Sequence, residues 1–165
     1  MNLSMLLTKT ARIFPDKTAI VHGDRQLTYA QFNARVNRLA NALRKLGLRQ
    51  GENVAILQYN YPETYESLFA CFKCGIAAVP INFRLHPKEF AFIIDHSESK
   101  AVILSPEFNE SIMDVRDRIP QCAHLIALDG AEGELLDYQR LLDEAADGFV
   151  DAEVSPDDLA WLFYT

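Results

Sequence analysis

Two cysteines three residues apart, Cys71 and Cys74, form the first pair in this sequence whose types and spacing could do chemistry. A C-x-x-C can supply half of a zinc site or a redox dithiol. Zinc needs a second Cys or His pair at matching spacing, and the sequence has none. The surrounding "SLFACFKCG" has the periodicity of a helix, where a free cysteine packs as a small hydrophobe, so the pair reads as structural. Four histidines, His22, His86, His96 and His124, have no acid or nucleophile at a recognisable spacing and also read as structural. His86 precedes Pro87, where it serves a helix start, and His124 lies in an apolar strand. Arg35, Arg38, Arg44 and Lys45 could grip phosphate, but they fall mostly opposite the apolar stripe of a helix and read as its solvated face. Asn60 and Asn82 follow strands and suit turns or helix caps. The 165 residues contain no G-x-G-x-x-G, no Walker A lysine motif and no G-x-S-x-G.

These residues must be positioned by a fold, and the bulk numbers bound it. A chain of 165 residues, 49% hydrophobic and 24% charged, suits one ordinary domain with a real core. No apolar stretch approaches the roughly 20 residues of a membrane helix. The N-terminal "MNLSMLLTKTARIFPDK" has no basic leader and reads as no signal peptide. Three cysteines, the third being Cys122, do not complete a disulfide set, so the expected compartment is reducing and cytoplasmic. Net charge is −7, unevenly spread: residues 129–158 hold 11 acidic side chains and Arg140 as the single base. That acidic flank argues against nucleic-acid binding and reads as a solvated surface segment.

Apolar periodicity then places the elements. Leu3, Leu6, Leu7, Ala11 and Phe14 mark a first helix stopped by Pro15, and residues 19–22 and 26–29 form a hairpin about Gly23. Thr28 with Gln31 is a capping box opening a long helix, with Phe32, Val36, Leu39, Leu43 and Leu46 on one face and Gly47 at its end. From residue 53 strands and helices alternate: "NVAILQY", a helix from Pro62 to a stop at Gly75, "AAVPI", a helix from Pro87, "AVIL", a helix carrying Phe108, Ile112, Val115 and Ile119, and "HLIAL". The aromatics Tyr65, Phe69, Phe72, Phe90 and Phe108 take core spacing on these helices. Such alternation implies right-handed βαβ crossovers: an α/β fold, a largely parallel sheet with helices on both faces. Tyr138, Leu141, Leu142 and Ala145 mark a last helix, an acidic linker comes next, and Leu159 to Tyr164 reads as a fully buried strand. The expected organisation is residues 1–52 (helix, hairpin, long helix), 53–128 (βαβ units), 129–158 (acidic helix and linker) and 159–165 (strand).

Several stretches, in order, resemble the N-terminal part of the adenylate-forming acyl-CoA synthetases, the superfamily of acyl- and aryl-CoA ligases, luciferases and adenylation domains. They are "FPDKTAIV" (14–21), "LTYAQFNARVNRLANALRKLGLRQGENVAIL" (27–57), "NYPETYESLFACFKCGIAAVPIN" (60–82), the adjoining "FRL", and "DDLAWLFYT" (157–165). "LTYAQF" resembles the first core motif of that family and "FKCGIAAVP" the second.

The resemblance implies a parent enzyme that uses ATP, Mg²⁺ and CoA to convert a carboxylic acid, fatty or aryl, to its thioester. In that family a strand ending in Tyr-Thr runs into a Ser/Thr/Gly-rich phosphate loop. The resemblance therefore makes this chain a fragment, inactive alone, whose Thr165 matches the first hydroxyl of the loop and contacts ATP phosphate in the parent. Arg84, in "NFRL", matches an arginine that contacts the CoA 3′-phosphate in some aryl-CoA ligases, and a forked guanidinium suits phosphate. A surface arginine before a helix is the alternative. Two other readings stay open: a stand-alone nucleotide- or CoA-binding or dimerisation module, and an adenylation domain loading a carrier protein. The start at Met1 favours the free-standing ligase. A homodimer is a further expectation, since an apolar terminal run seeks cover.

Overall fold

The computed structural model describes residues 2–165. Its centre is a five-stranded parallel sheet made of β3 (Asn53–Leu57), β4 (Ala77–Pro80), β5 (Ala101–Leu104), β6 (His124–Ala127) and β7 (Leu136–Asp137). The strand order is β4-β3-β5-β6-β7, so the chain steps one way from β3 to β4 and then reverses to β5 and beyond. Period-two alternation divides the strands between two cores. Val54, Ile56, Ala78 and Ile103 face α2 (Tyr29–Lys45), α3 (Pro62–Cys74) and α6 (Tyr138–Asp143). Ala55, Leu57, Val79, Val102 and Leu104 face α4 (Pro87–His96) and the 106–119 region. The α/β sandwich with helices on both faces results from that double burial.

Ahead of the sheet, α1 (Met5–Ile13) packs on α2, and β1 (Thr18–His22) pairs antiparallel with β2 (Arg25–Thr28). The capping box is formed: Gln31 N–H donates to Thr28 Oγ1 at 3.2 Å and Thr28 N–H donates to Gln31 Oε1 at 2.9 Å. Gly75 ends α3 in the left-handed region at φ 66°, as a glycine stop does. Among the described residues no helix is long and apolar enough to cross a membrane.

Four expectations are corrected. The 106–119 helix is broken into a 3₁₀ turn at Pro106–Phe108, a short α5 (Asn109–Asp114) and a second 3₁₀ turn at Arg116–Arg118. Arg116 there turns its guanidinium onto the Ile119 carbonyl and Glu134, bonds that the broken turn permits. The two-residue β7 carries too little pattern to read from sequence and forms because β6 leaves an open edge. The terminal run is not a buried strand. It meets β4 through a parallel bridge, Ala78 to Trp161, and Leu159 and Phe163 are exposed because no other element among the described residues pairs with its outer side. Finally, Tyr65 is exposed while Glu66, Ser67 and Lys73 of the same helix are buried. Polar partners on α2, α6 and the acidic segment, and Gln58 after β3, cover those three residues, while Leu68, Phe69 and Phe72 still pack on the core.

Candidate functional site at the carboxyl edge of the sheet

All strands of the sheet are parallel, so the loops after β3, β4, β5 and β6 emerge at one edge. In open α/β sheets ligands bind outside this carboxyl edge, where the strand order reverses. The terminal segment runs parallel to β4, so Thr165 reaches the same edge as the Asn82–Leu85 loop. Thr165 and Tyr164 line a groove of about 570 Å³ with Pro80, Asn82, Lys88 and Phe92 among its other walls. Parallel pairing thus brings together two stretches that lie some 80 positions apart in the sequence.

Arg84 is exposed and sits on that loop, its guanidinium 5.6 Å from the Phe83 ring centroid. It forms no ion pair among the described residues. Asn82 Oδ1 accepts the Arg84 N–H at 3.0 Å, which ties the loop into a turn as the sequence predicts. The Phe83 ring lies 4.6 Å from Tyr59, which in turn stacks on Phe108 at 5.7 Å. Three loops of the edge are therefore joined by one aromatic row. Ser105, after β5, accepts the Tyr59 N–H at 3.2 Å and fixes the floor at the point of reversal.

Two further groups that meet the terminal segment or its groove carry no sequence signal. His96 Nδ1 lies 2.8 Å from the Tyr164 hydroxyl. Lys88 lines the same groove as Thr165 and places a cation there. Both come from α4, and the sequence separation of 68 residues between His96 and Tyr164 hides the contact from any spacing argument. His86 behaves as expected: its Nδ1 accepts the Lys88 N–H at 3.2 Å, and Glu89 accepts the His86 N–H at 2.8 Å. His124 is held by the Leu46 carbonyl at 3.0 Å.

The remaining titratable groups are inward and structural. Cys71 and Cys74 pack as buried thiols against α2, with Cys74 donating to the Ala40 carbonyl. Burial pushes the Cys74 thiol up to about 12 and Cys71 higher, which leaves neither as a nucleophile. Arg35, expected in solvent, clasps the buried Glu66 with Nε–Oε1 2.6 Å and Nη2–Oε2 3.1 Å, and Tyr138 donates to the same carboxylate at 2.7 Å. Arg38 meets Asp147, and Arg44 lies 4.0 Å over the Phe149 ring. On the basic side of α2, Arg35 is thus drawn inward by Glu66 and Arg38 is partly covered by the acidic segment, while Arg44 and Lys45 remain exposed as the sequence predicts. Among the described residues no three His, Cys, Asp or Glu side chains converge to hold a metal ion.

Residues 7–165 match the model of the AMP-binding enzyme family. The chain is 37% identical over 95% of its length to a feruloyl-CoA synthase of Amycolatopsis, of which it covers 29%. It is 33% identical over its whole length to an indoleacetate–CoA ligase of Aromatoleum aromaticum, covering 32% of that protein. Among solved structures it superposes on an anthranilate CoA ligase in complex with anthranoyl-AMP, with TM-score 0.96 and 28% identity over 100% of this chain and 32% of that one. It superposes likewise on a Mycobacterium tuberculosis fatty acyl CoA synthetase, with TM-score 0.90 and 32% identity over 99% of this chain and 32% of that one. The chain therefore spans about a third of the length of these relatives and matches their N-terminal part. It belongs to the AMP-binding enzyme family.

Proposed function

We propose that this chain is the N-terminal part of the large domain of an acid–CoA ligase, and that its carboxyl edge meets the nucleotide and CoA. In the first step of such an enzyme a substrate carboxylate attacks the α-phosphate of ATP, forming an acyl-adenylate and releasing pyrophosphate. In the second, the CoA thiol attacks the acyl carbon, loses its proton and displaces AMP. Mg²⁺ neutralises phosphate charge in chemistry of this kind, and it would be held by residues outside this chain. The observation that carries the reading is the meeting of the Thr165 segment and the Arg84 loop at one sheet edge.

Each residue then has one role. Thr165 donates its hydroxyl to an ATP phosphate, and Arg84 offers its forked donors to the CoA 3′-phosphate. The acid is fatty or aryl, in keeping with relatives named for feruloyl and indoleacetate substrates. The test is carboxylate-dependent ATP–pyrophosphate exchange and thioester formation over a panel of acids. The full-length enzyme is expected to catalyse both, and residues 1–165 alone neither. Exchange by the isolated 165-residue chain, or no thioester from the full-length enzyme with any acid, overturns the proposal.

A further inference from the structure

Residues 144–158 form neither helix nor strand and read from the sequence as a solvated acidic linker. In the fold they are a strap across α2 and α3. Side-chain amides grip the strap's backbone: Asn41 donates to the Ala146 and Gly148 carbonyls at 2.7 and 2.9 Å, Asn37 to Asp147 at 2.6 Å, and Gln50 to Glu153 at 2.7 Å. Such contacts hold a chain without choosing which residue lies where, since every residue offers a carbonyl.

Register comes from one side chain. Asp151 enters a buried polar site between α1 and α3, where Lys73, 1% exposed, donates to its Oδ1 at 2.9 Å. Ser4 and Thr8 donate to Oδ2 at 2.9 and 3.1 Å, and the Thr8 hydroxyl also accepts from Lys73 at 2.7 Å. A buried ammonium left unpaired is costly, so the site demands a carboxylate at that point of the strap. With Asp147 or Glu153 there instead, the strap would shift by four or two residues and each amide would meet a different carbonyl. The Ala152 N–H, donating to the Lys73 carbonyl at 2.7 Å, locks the next residue. Gly75 leaves the room the strap needs, because a Cβ there would meet Gln50 Cγ at 2.9 Å and Ala152 Cβ at 3.3 Å.

Beyond the strap the terminal segment packs Leu162 and Tyr164 on the second core and meets His96 through Tyr164, but few of its contacts reach the sheet. Its sheet contacts are two hydrogen bonds, Ala78 N–H to the Ala160 carbonyl and Leu162 N–H to the Ala78 carbonyl, both 2.9 Å. Trp161 packs edge-on to Phe72 with centroids 4.9 Å apart. Phe72 and Lys73 are neighbours on α3, so one turn of helix holds both the strap and the terminal segment. We infer that the buried Lys73–Asp151 pair is a positioning element, which sets where the segment carrying Thr165 lies along the edge of β4. Position is measurable without turnover, so the test stands apart from the proposed ligase activity.

The test is hydrogen–deuterium exchange of the full-length protein, comparing Lys73→Met with the parent sequence. Amides of residues 149–164 are expected to exchange at least about tenfold faster, while those of Ile103 and Leu104 in the central strand keep their protection. Thr8→Val, which removes only the bridging hydroxyl, is the milder variant should Lys73→Met fail to fold, and it is expected to give the same pattern at smaller size. The inference is overturned if the strap opens while residues 159–164 stay protected. It is equally overturned if the central strand opens together with them, which would make the pair a general stabiliser, or if neither variant alters exchange.

Discussion

The Tyr164 hydroxyl lies 2.8 Å from Nδ1 of His96, so helix α4 holds the residue that immediately precedes Thr165. The ring of Tyr164 also meets that imidazole edge-on, at 5.7 Å between centroids. In the proposed enzyme this contact aims Thr165 at the nucleotide. A hydrogen bond of this kind contributes about 0.5–1.5 kcal/mol. Tyr164→Phe and His96→Ala in the full-length enzyme are therefore each expected to raise the ATP KM about two- to tenfold and leave the CoA KM alone. Steady-state kinetics with each substrate varied in turn check this, and an unchanged ATP KM in both variants would separate Tyr164 from nucleotide binding.

Arg84 gives the converse pattern. It is exposed and free of ion pairs among the described residues, so its removal costs the fold little. Arg84→Ala in the full-length enzyme is expected to raise the CoA KM about tenfold, the scale of one charge-assisted contact. The rate of ATP–pyrophosphate exchange should not move. An unchanged CoA KM sinks the assignment.

The Glu66 carboxylate is fully buried and accepts from both Arg35 and Tyr138, linking α3 to α2 and α6. Removing one partner of a buried pair leaves the other uncompensated, at a cost of about 3–5 kcal/mol. Arg35 keeps some exposure and can recover part of its hydration, so Glu66→Ala is expected near the lower end. Urea unfolding with tryptophan emission measures it. A loss under about 1 kcal/mol would show that the network adds little beyond packing.

Alkaline pH should weaken the fold through its thiols. Burial pushes Cys122 up to about 11 and Cys74 to about 12, with Cys71 higher still, whereas in the unfolded chain they ionise near an ordinary thiol value of about 8.5. Above that value the unfolded state releases protons that the folded state keeps, so stability falls as pH rises. The contribution is complete below about pH 8.5 and is lost on the way up to the folded values, with a slope of about 1.4 kcal/mol per pH unit for each thiol concerned. Tyr138, raised well above its ordinary value by burial and then by Glu66, adds to the decline above about pH 10. The urea midpoint is expected to drop between about pH 9 and 11, and Cys71→Ala to flatten the drop. A midpoint level across that range would contradict the buried thiols.

The sequence by itself determined the elements whose signals are local. The capping box of Thr28 and Gln31, the glycine stop at Gly75, the His86 cap and the continuous apolar runs of β3 and β5 each act within a few residues, so spacing reveals them. Ordered motifs along the chain likewise sufficed for the family. Only the tertiary structure decided which charges are buried. Glu66 and Lys73 look like ordinary solvent-facing helix residues until Arg35, Tyr138 and Asp151 arrive from distant parts of the chain to compensate them. The same holds for the site: Thr165 reaches the loop of Arg84 because its segment runs parallel to β4, and pairing direction is a property of the sheet. A buried charge or a shared sheet edge depends on partners far apart in sequence, and no local pattern encodes where those partners meet.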